Sequence, residues 1–320
     1  MTESQRLLTA ATALLLLCVA SHVPRLAARF GRRAWLMAGL GALLPLLDLP
    51  LFYFRAQDRI EFLTLDPLLS APLPALGAIL AWAGAIGLWS GWRAAREQAL
   101  SLGTGLALHL ALAALTPSGV AWLSPLSAGR WAWPLFPSAN WPLALLTAAL
   151  LMVMELWPAR TRLLGILGGS ALTLYLLLVL GGRFWAAAAC APATDGAGLA
   201  SRVEIEPTAP WPTPWLLVRS ADEGYRAVLA GLNGSCRTVE PIAAWNDQPR
   251  LLWLLGDPVA QRVYLRLFRY PVARVSTASS QITLVVQELR DVIAAEPGPT
   301  FVLRTDLGGR DLLYQLQRFE

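Results

Sequence analysis

Long apolar runs separated by short polar stretches make up most of residues 1–199. A transmembrane helix needs about 20 consecutive, mostly apolar residues, and runs of roughly that length recur from Leu7 onwards. We therefore predict about six transmembrane helices. Their expected bounds are Leu7–Val23, Ala34–Phe54, Leu68–Trp92, Ala99–Leu115, Trp141–Trp157 and Leu163–Trp185.

The segment from Thr116 to Asn140 does not fit a spanning helix, because four prolines interrupt it. It is also too apolar for a solvated loop, which indicates an interfacial or re-entrant segment. Several of the 14 Trp residues lie near the ends of the apolar runs. An interfacial aromatic belt explains them better than a ligand-binding aromatic box.

Beyond Arg202 the pattern changes to short β-type runs with turn residues between them. We predict helices over Arg250–Leu255 and Asp257–Arg269, the second opening with an N-cap Asp before proline. The predicted strands are Trp215–Arg219, Tyr225–Ala230, Cys236–Glu240, a hairpin of Val272–Thr277 and Gln281–Leu289, and Thr300–Arg304. The predicted fold is a polytopic α-helical membrane domain over 1–199 followed by a small soluble α+β domain over 200–320.

Composition agrees with a membrane protein: 56% of residues are hydrophobic, 15% are charged, and the mean hydropathy is +0.50. All 26 basic residues are Arg. We interpret this as a compositional bias and expect the lipid bilayer, and no nucleic acid, as a partner.

The distribution of charge predicts an orientation. Residues 1–199 contain 13 Arg against 8 acidic residues, whereas 200–320 contain 13 of each. Eight of those first 13 Arg follow the first, third and fifth apolar runs, and five lie in the other flanks. The positive-inside rule then predicts a multi-pass protein of the bacterial inner (plasma) membrane with its C-terminal domain outside the cytoplasm.

The three cysteines are Cys18, Cys190 and Cys236. A disulfide between Cys190 and Cys236 requires an extracytoplasmic tail, and two free structural thiols are an equally good reading. No CxxC or Cys/His spacing indicates zinc.

Two polar residues interrupt apolar runs, Asp48 between Pro45 and Pro50, and His109 in an alanine- and leucine-rich helix. An ionised carboxylate in hydrocarbon is costly, so Asp48 is either part of a polar pocket, or is interfacial or bonded to the broken backbone. His109 is either a metal ligand or a packed, hydrogen-bonded residue. Two ligands do not close a catalytic metal site, which usually needs three.

The order of these features resembles the YdjM-like family of inner-membrane metal-dependent hydrolases. A Thr-containing first helix, a proline–Asp helix end and an Asp–Arg loop precede His109, Gly119, Pro125 and Arg130. The resemblance covers most of residues 7–157. The tail is similar to that of the longer members through Arg269–Tyr270–Pro271 and Gln287–Glu288–Leu289–Arg290.

The resemblance implies a metal-ligand set that this chain has largely lost. Ala10 stands where the family has its first His, and Ala113 where it has the Asp of its His-x-x-x-Asp motif. The loop from Asp58 to Thr64 lacks both of the family's histidines. Asp48 and His109 remain, and Asp58 and Glu61 are substitute oxygen ligands for a divalent ion such as Mg²⁺.

We therefore interpret the protein as a divergent, catalytically degenerate relative, and assign no catalytic residue. An active membrane-embedded divalent-metal hydrolase, with Asp48, His109, Asp58 and Glu61 around the ion, is the first alternative. A membrane scaffold or interaction protein is the second. A transporter ranks last, since the sequence has no visible inverted repeat.

Overall fold

The computed structural model describes most of the helical region and the strands of the C-terminal region. The described residues are 3–22, 32–48, 71–117, 119–124, 126, 130–137, 140–194, 203–208, 214–221, 224–231, 233–243, 270–278, 281–289, 299–306 and 312–318.

Six α-helices lie in this described part of the chain. They are α1 (Glu3–His22), α2 (Arg32–Leu43), α3 (Pro72–Ser90), α4 (Trp92–Ala114), α5 (Trp141–Leu156) and α6 (Thr161–Thr194). Two short 3-10 turns, Leu44–Leu47 and Pro158–Arg160, follow α2 and precede α6.

The prediction of six transmembrane helices is wrong. Only two described helical stretches, Pro72–Ser90 and Pro158–Cys190, are long and apolar enough to cross a membrane. The α2 helix has 12 residues because the chain tightens into a 3-10 turn at Pro45, and 12 residues span only about 18 Å of the roughly 30 Å hydrocarbon core.

The other predicted spans fail for related reasons. The apolar stretches of α1 and α5 reach only Leu7–His22 and Trp141–Leu156. The α4 helix begins at Trp92, and so includes Arg93, Arg96 and Glu97 in its first turns. Charged residues in the helix itself lower its hydropathy below that of a spanning segment.

Small residues bring α2 and α4 into close contact. A Cβ atom placed on Gly41 would overlap the carbonyl of Leu102, and one placed on Gly105 would overlap the carbonyl of Ala38. Small residues of this kind allow helix backbones to approach closely, as is common between membrane helices. The α3 and α4 helices form a hairpin around Gly91, whose φ of 88° suits glycine.

Two four-stranded antiparallel sheets make up the described part of the C-terminal region. The first has the order β1 (Glu204–Pro207), β2 (Trp215–Ala221), β3 (Gly224–Ala230) and β4 (Cys236–Ala243). The second has the order β5 (Pro271–Ala278), β6 (Gln281–Glu288), β7 (Pro299–Asp306) and β8 (Leu312–Arg318).

The predicted strands are confirmed at all six positions, each within a few residues of its observed bounds. The strands β1 and β8 were not predicted. The two predicted helices within 250–269 lie outside the described residues, so the described part of this region is β-rich.

Buried side chains of both sheets, among them Leu216, Val218, Val272 and Leu289, belong to one core cluster.

The chain divides into two compact units at Gly181, within α6. The unit with the sheets includes the last turns of α6, and a disulfide joins Cys190 of that helix to Cys236 of β4. In the same unit Arg183 donates a hydrogen bond of 2.7 Å to the backbone carbonyl of Ile205. The end of α6 is therefore fastened to the first sheet.

Candidate functional site

A small cleft with a volume of about 20 Å³, room for roughly one water molecule, lies within the helical unit. Residues of α1 and the end of α4 form part of its wall, and the segment leading into α5 forms the rest. Its lining consists of Leu8, Thr9, Thr12, Leu112, Thr116, Phe136, Asn140 and Leu143. The polar side chains among these are all uncharged, and the others are apolar.

Backbone carbonyls orient two of the threonine hydroxyls of the cleft. Thr12 Oγ1 donates to the carbonyl of Leu8 at 2.8 Å, and Thr116 Oγ1 donates to the carbonyl of Ala113 at 2.7 Å. A hydroxyl that has used its proton still has lone pairs with which to accept. Thr12 therefore presents a hydrogen-bond acceptor in the cleft.

Asn140 is held in one orientation by two donors. Its Oδ1 accepts from the backbone N–H of Leu143 at 3.4 Å, which caps α5, and from the Tyr175 hydroxyl at 3.1 Å. The Tyr175 ring stacks on Phe136 with ring centroids 6.2 Å apart. Because a backbone N–H can only donate, the oxygen of the amide is the atom that faces Leu143, and the Nδ2 donor faces away from it.

The helix directions place Asp48 away from the cleft. Residues at the start of α1 line the cleft beside the end of α4. On α2, Gly41 lies against Leu102 of α4, and Ala38 lies against Gly105. The α2 helix therefore runs antiparallel to α4, and Asp48, just beyond its 3-10 turn, lies toward the end where α4 begins.

Asp48 is fully buried, and His109 is 3% exposed within the last two turns of α4. The fold thus places these two predicted residues toward opposite ends of α4 and does not bring them together. Asp58 and Glu61, the other two predicted metal ligands, lie outside the described residues.

The described residues do not by themselves fit a catalytic divalent metal. A catalytic site of that kind usually has three protein ligands, whereas Asp48 and His109 supply two. No group of three or more His, Cys, Asp or Glu side chains that could hold a metal occurs within the described ranges. Ala10 and Ala113, where the family resemblance leads us to expect ligands, are buried methyl groups.

Sequence reasoning missed Thr12, Asn140 and Tyr175. A single threonine or tyrosine in an apolar helix carries no distinctive pattern. Asn140 did carry a signal, because an asparagine two residues before Pro142 is typical of a helix N-terminus.

No protein-family model matches the chain, and comparisons with curated proteins and with solved structures gave no match.

Proposed function

We propose that the protein is an integral membrane protein of the YdjM-like type whose small neutral cleft binds an uncharged ligand and which does not activate water on a metal. The observation that supports this most directly is the neutral lining of the cleft, together with the separation of Asp48 from His109. Burying an ionised ligand against such a lining would carry a large desolvation penalty.

Exposed apolar side chains support a membrane location. On α3, Leu88 is 88% exposed and Trp89 is 91% exposed, and on α6 Leu177 and Phe184 are each about 60% exposed. Apolar surface of this extent is unfavourable in water and favourable in lipid. The lipid bilayer is therefore the partner that these helices fit.

The pairing of Cys190 with Cys236 supports an extracytoplasmic location for the unit with the sheets. Disulfides persist in oxidising compartments and are rare in the cytosol. This favours the bacterial inner membrane, with the sheets on its outer side.

Metal content tests the proposed function. We expect the detergent-purified wild-type protein to carry no stoichiometric Mn, Zn or similar ion when it is measured by elemental mass spectrometry. The double variant Ala10→His/Ala113→Asp should gain a metal, because it restores two of the family's ligands near His109 and so supplies three protein groups.

A matched control is His109→Ala in the restored background, which should lose the gained metal. Stoichiometric metal in the wild type that disappears in both Asp48→Ala and His109→Ala would overturn the proposal. That outcome would restore the active metal hydrolase as the better reading.

A further inference from the structure

We infer that residues 116–140 form a re-entrant segment, which enters the hydrocarbon layer of the bilayer from the side where α4 ends and contacts lipid through exposed Trp and Leu side chains. The inference rests on the membrane location in the proposed function and goes beyond it, because neither described helix of spanning length includes these residues. Three features carry it: the depth of the segment, the pairing of its backbone polar groups and its apolar surface.

Two neighbouring helices give the depth of the segment. A short 3-10 turn joins α5 to α6, and the Tyr175 hydroxyl of α6 donates to Asn140, directly before α5, so the two helices are antiparallel. Tyr175 is 13 residues beyond Arg162, and Asn140 is 15 residues before Glu155. At 1.5 Å per residue these separations are about 20 and 22 Å. With the charged ends at one boundary of a hydrocarbon core about 30 Å thick, Asn140 lies about 8–10 Å short of the other boundary.

The end of α4 lies at the same depth. Phe136 stacks on Tyr175 of α6, and its backbone N–H donates to the carbonyl of Leu115 at 2.9 Å. Leu115 directly follows the last residue of α4. The chain therefore leaves α4 and enters α5 within the hydrocarbon layer, on the same side of the bilayer. A segment with both ends at that position is re-entrant.

The carbonyls at the end of α4 are paired within the protein. The carbonyl of Ala114 accepts from the backbone N–H of Trp133 at 2.8 Å. The carbonyl of Leu115 accepts from the backbone N–H groups of Leu135 and Phe136, each at 2.9 Å. The last carbonyls of a helix otherwise need water or capping groups. Here the re-entrant segment supplies the donors, which a helix that ends in hydrocarbon requires.

A second set of backbone hydrogen bonds closes the re-entrant segment on itself. Val120 and Trp131 exchange N–H···O bonds of 2.8 and 2.9 Å. Gly119, with a φ of 60°, permits this approach, since a Cβ atom there would overlap the carbonyl of Trp131. Non-helical backbone is stable at membrane depth only where its polar groups are satisfied. These bonds meet that requirement without water.

The surface of the re-entrant segment suits lipid. Leu126 is 82% exposed, and Leu123 and Trp131 are each 56% exposed. Apolar surface of this kind favours acyl chains over water. Arg130 is the single charged residue in the sequence of the segment, and it is exposed. A long Arg side chain near the membrane boundary places its charge among the headgroups.

Spin-label accessibility in vesicles of dioleoyl phosphatidylcholine tests the inference. Trp131→Cys and Leu123→Cys are each made in the full-length Cys18→Ser protein, in which Cys190 and Cys236 are paired, so the nitroxide label reacts at one position. We expect both labels to collide with oxygen, which concentrates in hydrocarbon, and to be protected from a water-soluble nickel chelate. Leu123→Cys provides a position that leaves the paired Trp131 in place.

Leu177→Cys and Arg93→Cys are the matched controls. Leu177 is 59% exposed and lies two residues beyond Tyr175 on α6, so its label has the exposure and depth inferred for the segment. The Arg93 side chain is 96% exposed at the start of α4, and a label there should collide with the nickel chelate. Nickel accessibility at Trp131 and Leu123 should be reduced from the level at Arg93 to the level at Leu177.

The controls separate failure of the inference from failure of the proposed function. Nickel accessibility at the Arg93 level in both segment variants, with Leu177 protected, overturns the inference alone and makes residues 116–140 a solvated loop. Protection from both nickel and oxygen also overturns it, because the side chains would then be inside protein. A nickel-accessible label at Leu177 overturns the membrane location in the proposed function.

Discussion

Gly105 determines how closely α2 and α4 approach each other. It faces the carbonyl of Ala38 and the backbone nitrogen of Ala42 with no room for a side chain. Gly103, two residues earlier on α4, has no atom within 4 Å of a Cβ placed on it. The two glycines therefore have different roles on one helix, and the sequence alone does not distinguish them.

Gly105→Ala should destabilise the protein by about 1–3 kcal/mol, since the added methyl group has to push the two helix backbones apart. Gly103→Ala is its matched control. It should leave the protein unchanged or more stable by up to about 1 kcal/mol, because alanine is the better helix former. Thermal unfolding midpoints in detergent measure both. A Gly105→Ala variant as stable as Gly103→Ala would contradict the close contact described for this helix pair.

At the scale of the element, the sequence predicts where helices and strands occur better than how long they are. Trp215–Ala221 and Gln281–Glu288 were recognisable because apolar and β-branched residues cluster between turn residues. The strand β1 has only four residues and ends in Pro207, which left too little pattern. In β8 the alternation of Tyr314 and Leu316 with Gln315 and Gln317 was a usable signal.

The helix lengths could not be predicted because hydropathy does not report where a helix breaks. The apolar run continues through Pro45, but the α-helix ends at Leu43. The candidate site shows a similar division. Asp48 and His109 stood out as polar residues in apolar runs. The orientation of Asn140 depends instead on hydrogen bonds from Leu143 and Tyr175, and Tyr175 is 35 residues away in sequence.

The disulfide between α6 and β4 should contribute strongly to the stability of the unit with the sheets. Cys190 and Cys236 are separated by 46 residues, and closing a loop of that size restricts the unfolded chain by about 4 kcal/mol. The double variant Cys190→Ser/Cys236→Ser should lose about that much free energy of unfolding. Differential scanning calorimetry of the oxidised wild type and the variant provides the comparison.

Cys18→Ser is the control for that experiment. Cys18 is an exposed free cysteine on α1, so its replacement should not change the unfolding transition. Wild-type protein treated with a reducing agent should unfold like the double variant. An unfolding transition that is the same in the oxidised wild type and the double variant would show that the link adds no stability.

At the scale of the whole molecule, the proposed membrane location predicts on which side of the bilayer the disulfide lies. Both described helices of spanning length are exposed along most of their surface, with 17% of Pro72–Ser90 and 11% of Pro158–Cys190 buried. A bilayer that covers these faces would carry α6 from one side of the membrane to the other. The side on which α6 ends is then the side of the disulfide.

Reporter fusions at Glu320 determine that side. We expect an alkaline phosphatase fusion to be active and a green fluorescent protein fusion to be dark, because the first reporter folds outside the cytoplasm and the second inside it. The same two reporters fused after Arg96, before the apolar part of α4, provide a comparison. Arg96 lies between the two helical stretches of spanning length, so a protein that crosses the bilayer with both would have Arg96 on the side opposite to the end of α6. The two reporters fused after Arg96 should therefore give the opposite pair of signals. A fluorescent, phosphatase-negative fusion at Glu320 would place the sheets in the cytoplasm, where a disulfide between Cys190 and Cys236 would not persist.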